Sequence, residues 1–126
     1  MPAIHFWLTG FVGDRRKLGL LFAAADVFLF SSLEDNLPIM VQESLAAGTP
    51  VVGFAAGGIP EMVDHERTGW LCPPRDQIAL NQNLRSALAR NDLADIGKIA
   101  QQTVRKRFDV DAFGQAHLAL YQKALN

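Results

Sequence analysis

With one cysteine, Cys72, among 126 residues, the chain cannot form an intrachain disulfide. It therefore suits a reducing compartment, and a cytoplasmic location is expected. Its three histidines, His5, His65 and His117, are scattered without the spacing of metal ligands. No run of eighteen apolar residues occurs, so no membrane-spanning helix is predicted. The opening MPAIHFW has neither the basic region nor the small-residue cleavage site of a secretory leader, and none is expected. A net charge of −1 leaves no overall field to draw in nucleic acid or anionic lipid. The two short basic clusters, Arg15-Arg16-Lys17 and Arg105-Lys106-Arg107, read as solvated helix faces.

What is present is ordinary globular material, 49% apolar and 20% charged. A chain of this length buries about two-thirds of its unfolded surface, enough for one domain with a real core. Short apolar runs alternate with helical patterns. IHFWLTG (4–10) reads as a strand closed by Gly10. DRRKLGLLFAAA reads as a helix, with Asp14 as its cap and Leu18, Leu21 and Phe22 on one face. DVFLF (26–30) lacks alternation, as a strand buried on both faces does. PIMVQESLAAG (38–48) has Pro near its start and Gly at its end, the asymmetry of a helix. PVVGF (50–54) and GWLCP (69–73) are further strands. Beyond Pro74 three helices are expected over 76–91, 92–108 and 109–126, the first with an apolar stripe at 80, 84 and 88.

This order predicts an α/β fold. It is a partial doubly wound, Rossmann-like parallel sheet with right-handed crossovers and a helical C-terminal tail. Ligands of such sheets bind at the carboxyl ends of the strands. Three loops therefore qualify: TGFVGD (9–14), SSLEDNLP (31–38) and AAGGIPE (55–61). The second enters a helix whose first amides, at Ile39 and Met40, have no internal partner and can hold an anion such as a diphosphate. Glu43 lies one turn further on, near the face of Ile39, where a carboxylate can accept hydrogen bonds from a ribose diol. Both acids, Asp35 and Glu43, are expected to rim one crevice. Blander roles fit the same residues. An acid near a helix start gains about 0.3–1 kcal/mol from the dipole alone. Asp35 and Asn36 also serve as turn or cap residues, and GGIPE as a plain turn into a short helix.

The stretches LTGFV, AAADVFLFSSLEDNLPIMVQESLAAGTPVVGFAAGGIPEMV and TGWLCPP resemble the C-terminal donor-binding domain of group 1 glycosyltransferases. These are retaining enzymes that use nucleotide sugars and pair two Rossmann-like domains around a cleft. The likeness runs from about Leu8 to Phe108. The family signature is Glu-x7-Glu, and this chain carries Asp-x7-Glu, with Asp35 a methylene shorter than the family's acid. The resemblance implies that Asp35 approaches the transferred sugar as the catalytic carboxylate and that Glu43 binds ribose. It implies that Asn36, Leu37, Pro38 and Ile39 touch the donor, with Gly57, Gly58 and Glu61 close by. It implies a nucleotide diphosphate sugar as substrate, no metal and no further cofactor.

It also implies that residues 1–126 form a partial donor-binding domain, the N-terminal acceptor domain and the start of the donor domain being absent. The isolated chain is then expected to transfer no sugar, and any peripheral membrane contact belongs to the absent half. Self-association through an exposed sheet edge is expected, and nucleic acid is not a partner. The alternative is a non-catalytic nucleotide-sugar-binding or interaction module working with a separately encoded partner. A sugar epimerase or phosphorylase on the same two-domain plan is a third reading.

Overall fold

A computed structural model describes residues 3–125. Helix α1 (Arg15–Ala24) leads to strand β1 (Phe28–Phe30), helix α2 (Ile39–Ala46), strand β2 (Val51–Phe54) and the short helix α3 (Ile59–Met62). Strand β3 (Gly69–Cys72) follows, and then helices α4 (Gln77–Leu88), α5 (Leu93–Arg107) and α6 (Val110–Leu125). The three strands form a parallel sheet in the order β1-β2-β3, with Val51 opposite Phe28 and Gly69. The α/β reading, the Rossmann-like parallel sheet and the helical tail are those the sequence predicts.

Period-two alternation along β2 explains how the sheet is covered on both faces. Val51 points into a core with Val41 and Leu45 of α2, Ile59 and Met62 of α3, and Ala100 and Val104 of α5. Val52 points the other way, to Trp70 of β3 and Ala87 of α4. Phe54 shares that second face with Cys72. All four residues of β2 are buried, as a central strand requires. Burial, followed by the nearby Asp76 carboxylate, pushes the Cys72 thiol above its usual range, so it stays protonated and packs as a small apolar group.

Side-chain hooks fix the helix ends. Asp14 caps α1 by accepting from the amides of Arg16 and Lys17, at 2.8 and 3.3 Å. Ser44 Oγ donates to the Thr49 carbonyl at 2.9 Å, and Thr49 Oγ1 donates to the Phe22 carbonyl. The ends of α1 and α2 and the entry to β2 thus meet in one buried knot. Helix α5 packs along α2, where Gly97 lies so close to the Gly48 carbonyl that a β-carbon would collide with it.

Several expectations are corrected. Residues 4–10 form no strand, and Ile4, Phe6, Trp7 and Leu8 are exposed. A strand needs a hydrogen-bonded neighbour, and residues 4–10 pair with none, which leaves the outer side of β1 open. The loop 9–14 is therefore not a post-strand loop. β1 is an edge strand rather than one buried on both faces, and its Leu29 is 46% exposed. On α1, Phe22 is buried while Leu18 is half-buried and Leu21 exposed. On α4, Ala87 is the buried residue and Leu88 faces solvent, so the inward stripe turns one position earlier than 80, 84, 88 suggests. Pro38 is the cap of α2, one residue before the helix. None of α6 is buried.

Candidate functional site at the start of α2

The loop from β1 to α2 is shaped by its own polar residues. Asp35 Oδ1 accepts from the Leu37 amide at 3.1 Å, closing the turn that delivers the chain to Pro38. Pro38 brings an extended backbone (φ −65°, ψ 117°) and no capping side chain. Its carbonyl accepts from the amides of Val41 and Gln42, at 3.1 and 3.4 Å. The amides of Ile39 and Met40 find no partner among the described residues. Both residues are exposed, so α2 opens to solvent with two free donors and the positive end of its dipole.

The loop after β2 is laced to this one. The Gly58 amide donates to the Asp35 carbonyl at 3.2 Å. Gly57 has a left-handed backbone (φ +53°), and a β-carbon there would strike the Asp35 carbonyl oxygen. One at Gly58 would strike the Asn36 carbonyl oxygen. Two glycines thus let two post-strand loops touch backbone to backbone. Glu61 sits exposed in the first turn of α3, and its carbonyl accepts from Arg107 at 3.3 Å.

Glu43 lies within α2 with its side chain 27% exposed, its Oε1 3.6 Å from an Arg15 guanidinium nitrogen. It lines a cleft of about 250 Å³ with Arg15, Ile39, Gln42 and Arg105 among its walls. Asp35 lines another, of about 330 Å³, with Phe30, Leu37, Pro38, Ile39 and Met40. Ile39 belongs to both. The two acids therefore occupy neighbouring clefts on either side of one side chain, rather than one crevice. The cause is local: Asp35 is turned back onto Leu37, whereas Glu43 projects a full helical turn later, toward α1. The structure thus groups Asp35, Asn36, Leu37, Pro38 and Ile39 with Gly57 and Gly58, and puts Glu43 one cleft away.

Sequence reasoning missed three cations here. Arg15 and Arg105, read as solvated faces, line the Glu43 cleft. Arg107 bridges to Asp64 at 2.9 Å. Nothing in a local charge pattern reveals which residues the fold brings opposite a basic cluster. Asp14 capping α1 fixes where Arg15 stands on its own helix, but not what it faces. Among the described residues, no helix is long and apolar enough to cross a membrane, and no group of His, Cys, Asp and Glu could hold a metal ion.

A parallel α/β unit of this topology is Rossmann-like, and the open helix start and the acids lie at the carboxyl edge, where ligands of such sheets bind. The chain belongs to the family of glycosyl transferases group 1, whose model matches residues 3–103. It is similar to WcaL of Escherichia coli (strain K12), a protein named as a colanic acid biosynthesis glycosyltransferase. The two are 35% identical over 106 residues, 78% of this chain and 26% of that one. Sucrose-phosphate synthase from Thermosynechococcus elongatus superposes with a TM-score of 0.80 at 31% identity, covering 89% of this chain and 28% of that one. Anabaena HepE, solved in complex with UDP-glucose, superposes with a TM-score of 0.76 at 27% identity, covering 84% of this chain and 30% of that one. The chain thus spans under a third of the length of the relatives it matches.

Proposed function

We propose that this chain is the donor-binding part of a retaining glycosyltransferase. In this reading the diphosphate of a nucleotide sugar rests on the free amides of Ile39 and Met40. Glu43 accepts hydrogen bonds from the ribose, and Arg15 and Arg105 add positive charge to that cleft. The transferred sugar lies beside Asp35, against Asn36, Leu37 and Pro38, with Gly57, Gly58 and Glu61 at the margin. As the sugar leaves for an acceptor hydroxyl, charge growing on the diphosphate meets amides already oriented toward it. That stabilisation calls for no divalent ion. Acceptor binding and turnover belong to a partner domain, so the isolated chain binds donor without transferring it.

The observation that carries the reading is the uncapped, solvent-open start of α2, one turn from a half-buried carboxylate. Calorimetry with a panel of nucleotide diphosphate sugars tests it. At least one is expected to bind, and Glu43→Ala to weaken that binding by about 10- to 150-fold, the equivalent of one charged hydrogen bond. Absence of heat with every nucleotide sugar overturns the reading.

A second reading, an interaction module that needs a partner, is favoured by the surface. Ile4, Phe6, Trp7, Leu8 and Phe11 are 77% or more exposed, and α6 turns Phe113, Leu118 and Tyr121 outward. With the outer side of β1 unpaired among the described residues, these residues are expected to drive self-association. Light scattering should give a mass that rises with concentration; a constant monomer mass would remove this expectation.

A further inference from the structure

A third cleft lies at the carboxyl edge of the sheet, away from α2. It measures about 360 Å³ and is lined by Ser31 after β1, Phe54 of β2, Arg75 after β3, Gln77 of α4, and Leu33 and Leu80. Arg75 is the unusual member. The Asp76 amide donates to the Pro73 carbonyl at 3.2 Å, which closes a turn with Pro74 and Arg75 as its central residues. Arg75 stands at φ +67° in that turn. This is the type II position at which glycine or asparagine is favoured, because a β-carbon crowds the backbone there. A long cationic side chain is thus held where the local conformation works against any side chain. Such conformations cluster at ligand-binding sites; Glu66, at φ +62°, is the other non-glycine residue with positive φ among the described residues.

Among the described residues the Arg75 guanidinium makes no ion pair and no hydrogen bond. The neighbouring Asp76 carboxylate is engaged elsewhere, accepting from the Ala79 amide at 2.9 Å. Ser31 and Gln77, with a hydroxyl and an amide in their side chains, line the same cleft. Phe54 and Leu80 form the apolar part of its wall, while Ser31, Leu33, Arg75 and Gln77 are exposed. A free guanidinium with two neutral polar groups is a donor set suited to a phosphate dianion.

We propose that this cleft binds a phosphate monoester-type dianion through Arg75, separately from the donor site at α2. The dianion is either free inorganic phosphate or a phosphate carried on a sugar. The second case rests on the glycosyltransferase reading, because it would hold only the phosphate of an acceptor whose sugar sits on the partner domain. The first does not.

Amide-resolved NMR titration of the full chain decides. With inorganic phosphate, saturable shifts are expected at Ser31, Phe54 and Gln77. Arg75→Gln should weaken this binding at least about tenfold, and Arg75→Lys should keep part of it. Glucose 6-phosphate saturating at lower concentration than phosphate assigns the site to a sugar-borne group. Equal affinities assign it to the free anion. Shifts that grow linearly without saturating, or that persist unchanged in Arg75→Gln, overturn the proposal. Arg75→Gly adds a readout independent of affinity. It should raise the Tm by a few degrees while losing the phosphate response, and a lowered Tm would overturn the claim that the arginine is held at a cost. Shifts at Ile39, Met40 and Glu43 in the same spectra distinguish phosphate seated at the start of α2 from phosphate at Arg75, and the donor reading itself is tested apart from this by the nucleotide-sugar calorimetry.

Discussion

Gly58→Ala should lower the stability of the chain by about 1–3 kcal/mol and abolish the proposed nucleotide-sugar binding. The alanine methyl would occupy the position of the Asn36 carbonyl oxygen, and Gly58 is buried, so no outward rotation relieves the contact. A flexible side chain could yield, but a backbone carbonyl moves only with its peptide plane. The loop 31–38 must then retreat, which breaks the 3.2 Å bond between the Gly58 amide and the Asp35 carbonyl. It would also shift the Asp35–Leu37 turn that sets Pro38 at the head of α2. Stability and binding are thus expected to fall together. Denaturant midpoints measure the first and calorimetry the second. An unchanged midpoint with wild-type affinity would show that the two loops are not locked.

Leu45→Ala is the counterpart in which stability falls and the binding groups stay intact. Leu45 is 1% exposed, packed among Val41, Val51, Ile59, Met62, Val63, Ala100 and Val104. Removing its branched end leaves a cavity walled by three helices and a strand, none free to collapse alone. A loss of about 2–5 kcal/mol is expected, against a total of about 5–15 kcal/mol for an ordinary domain. Thermal unfolding should move down by roughly 8 °C or more. Donor affinity of the folded fraction should change little, since Ile39 and Met40 stand more than a turn away. A drop of under about 1 kcal/mol would mean that α2 is held chiefly by its hydrogen-bonded ends.

Where the sequence was legible, burial alone decided the structure. β2 is apolar throughout and buried throughout, and α2 is bounded by Pro38 and Gly48 as those residues dictate. Pairing was not legible. IHFWLTG has the composition of a strand, yet composition carries no information about whether a neighbour is present, and the segment stays outside the sheet. The same limit explains β1, whose Leu29 is apolar but open to solvent. In the site, the spacing of Asp35 and Glu43 placed both near the start of α2. Their separation into two clefts depends on Asp35 turning back to Leu37 and on Arg15 approaching from α1, contacts that no local pattern encodes.

The knot of Ser44, Thr49 and Phe22 sits at the opposite end of α2 from its free amides. A rod clamped at its tail has its fulcrum there, and displacement grows with distance from the clamp. The eight-residue helix is about 12 Å long, so a tilt of a few degrees hardly stirs the knot yet carries Ile39 by a large fraction of an ångström. Ile39 forms the wall shared by both clefts. A ligand that pushed Ile39 out of one cleft would therefore push it into the other.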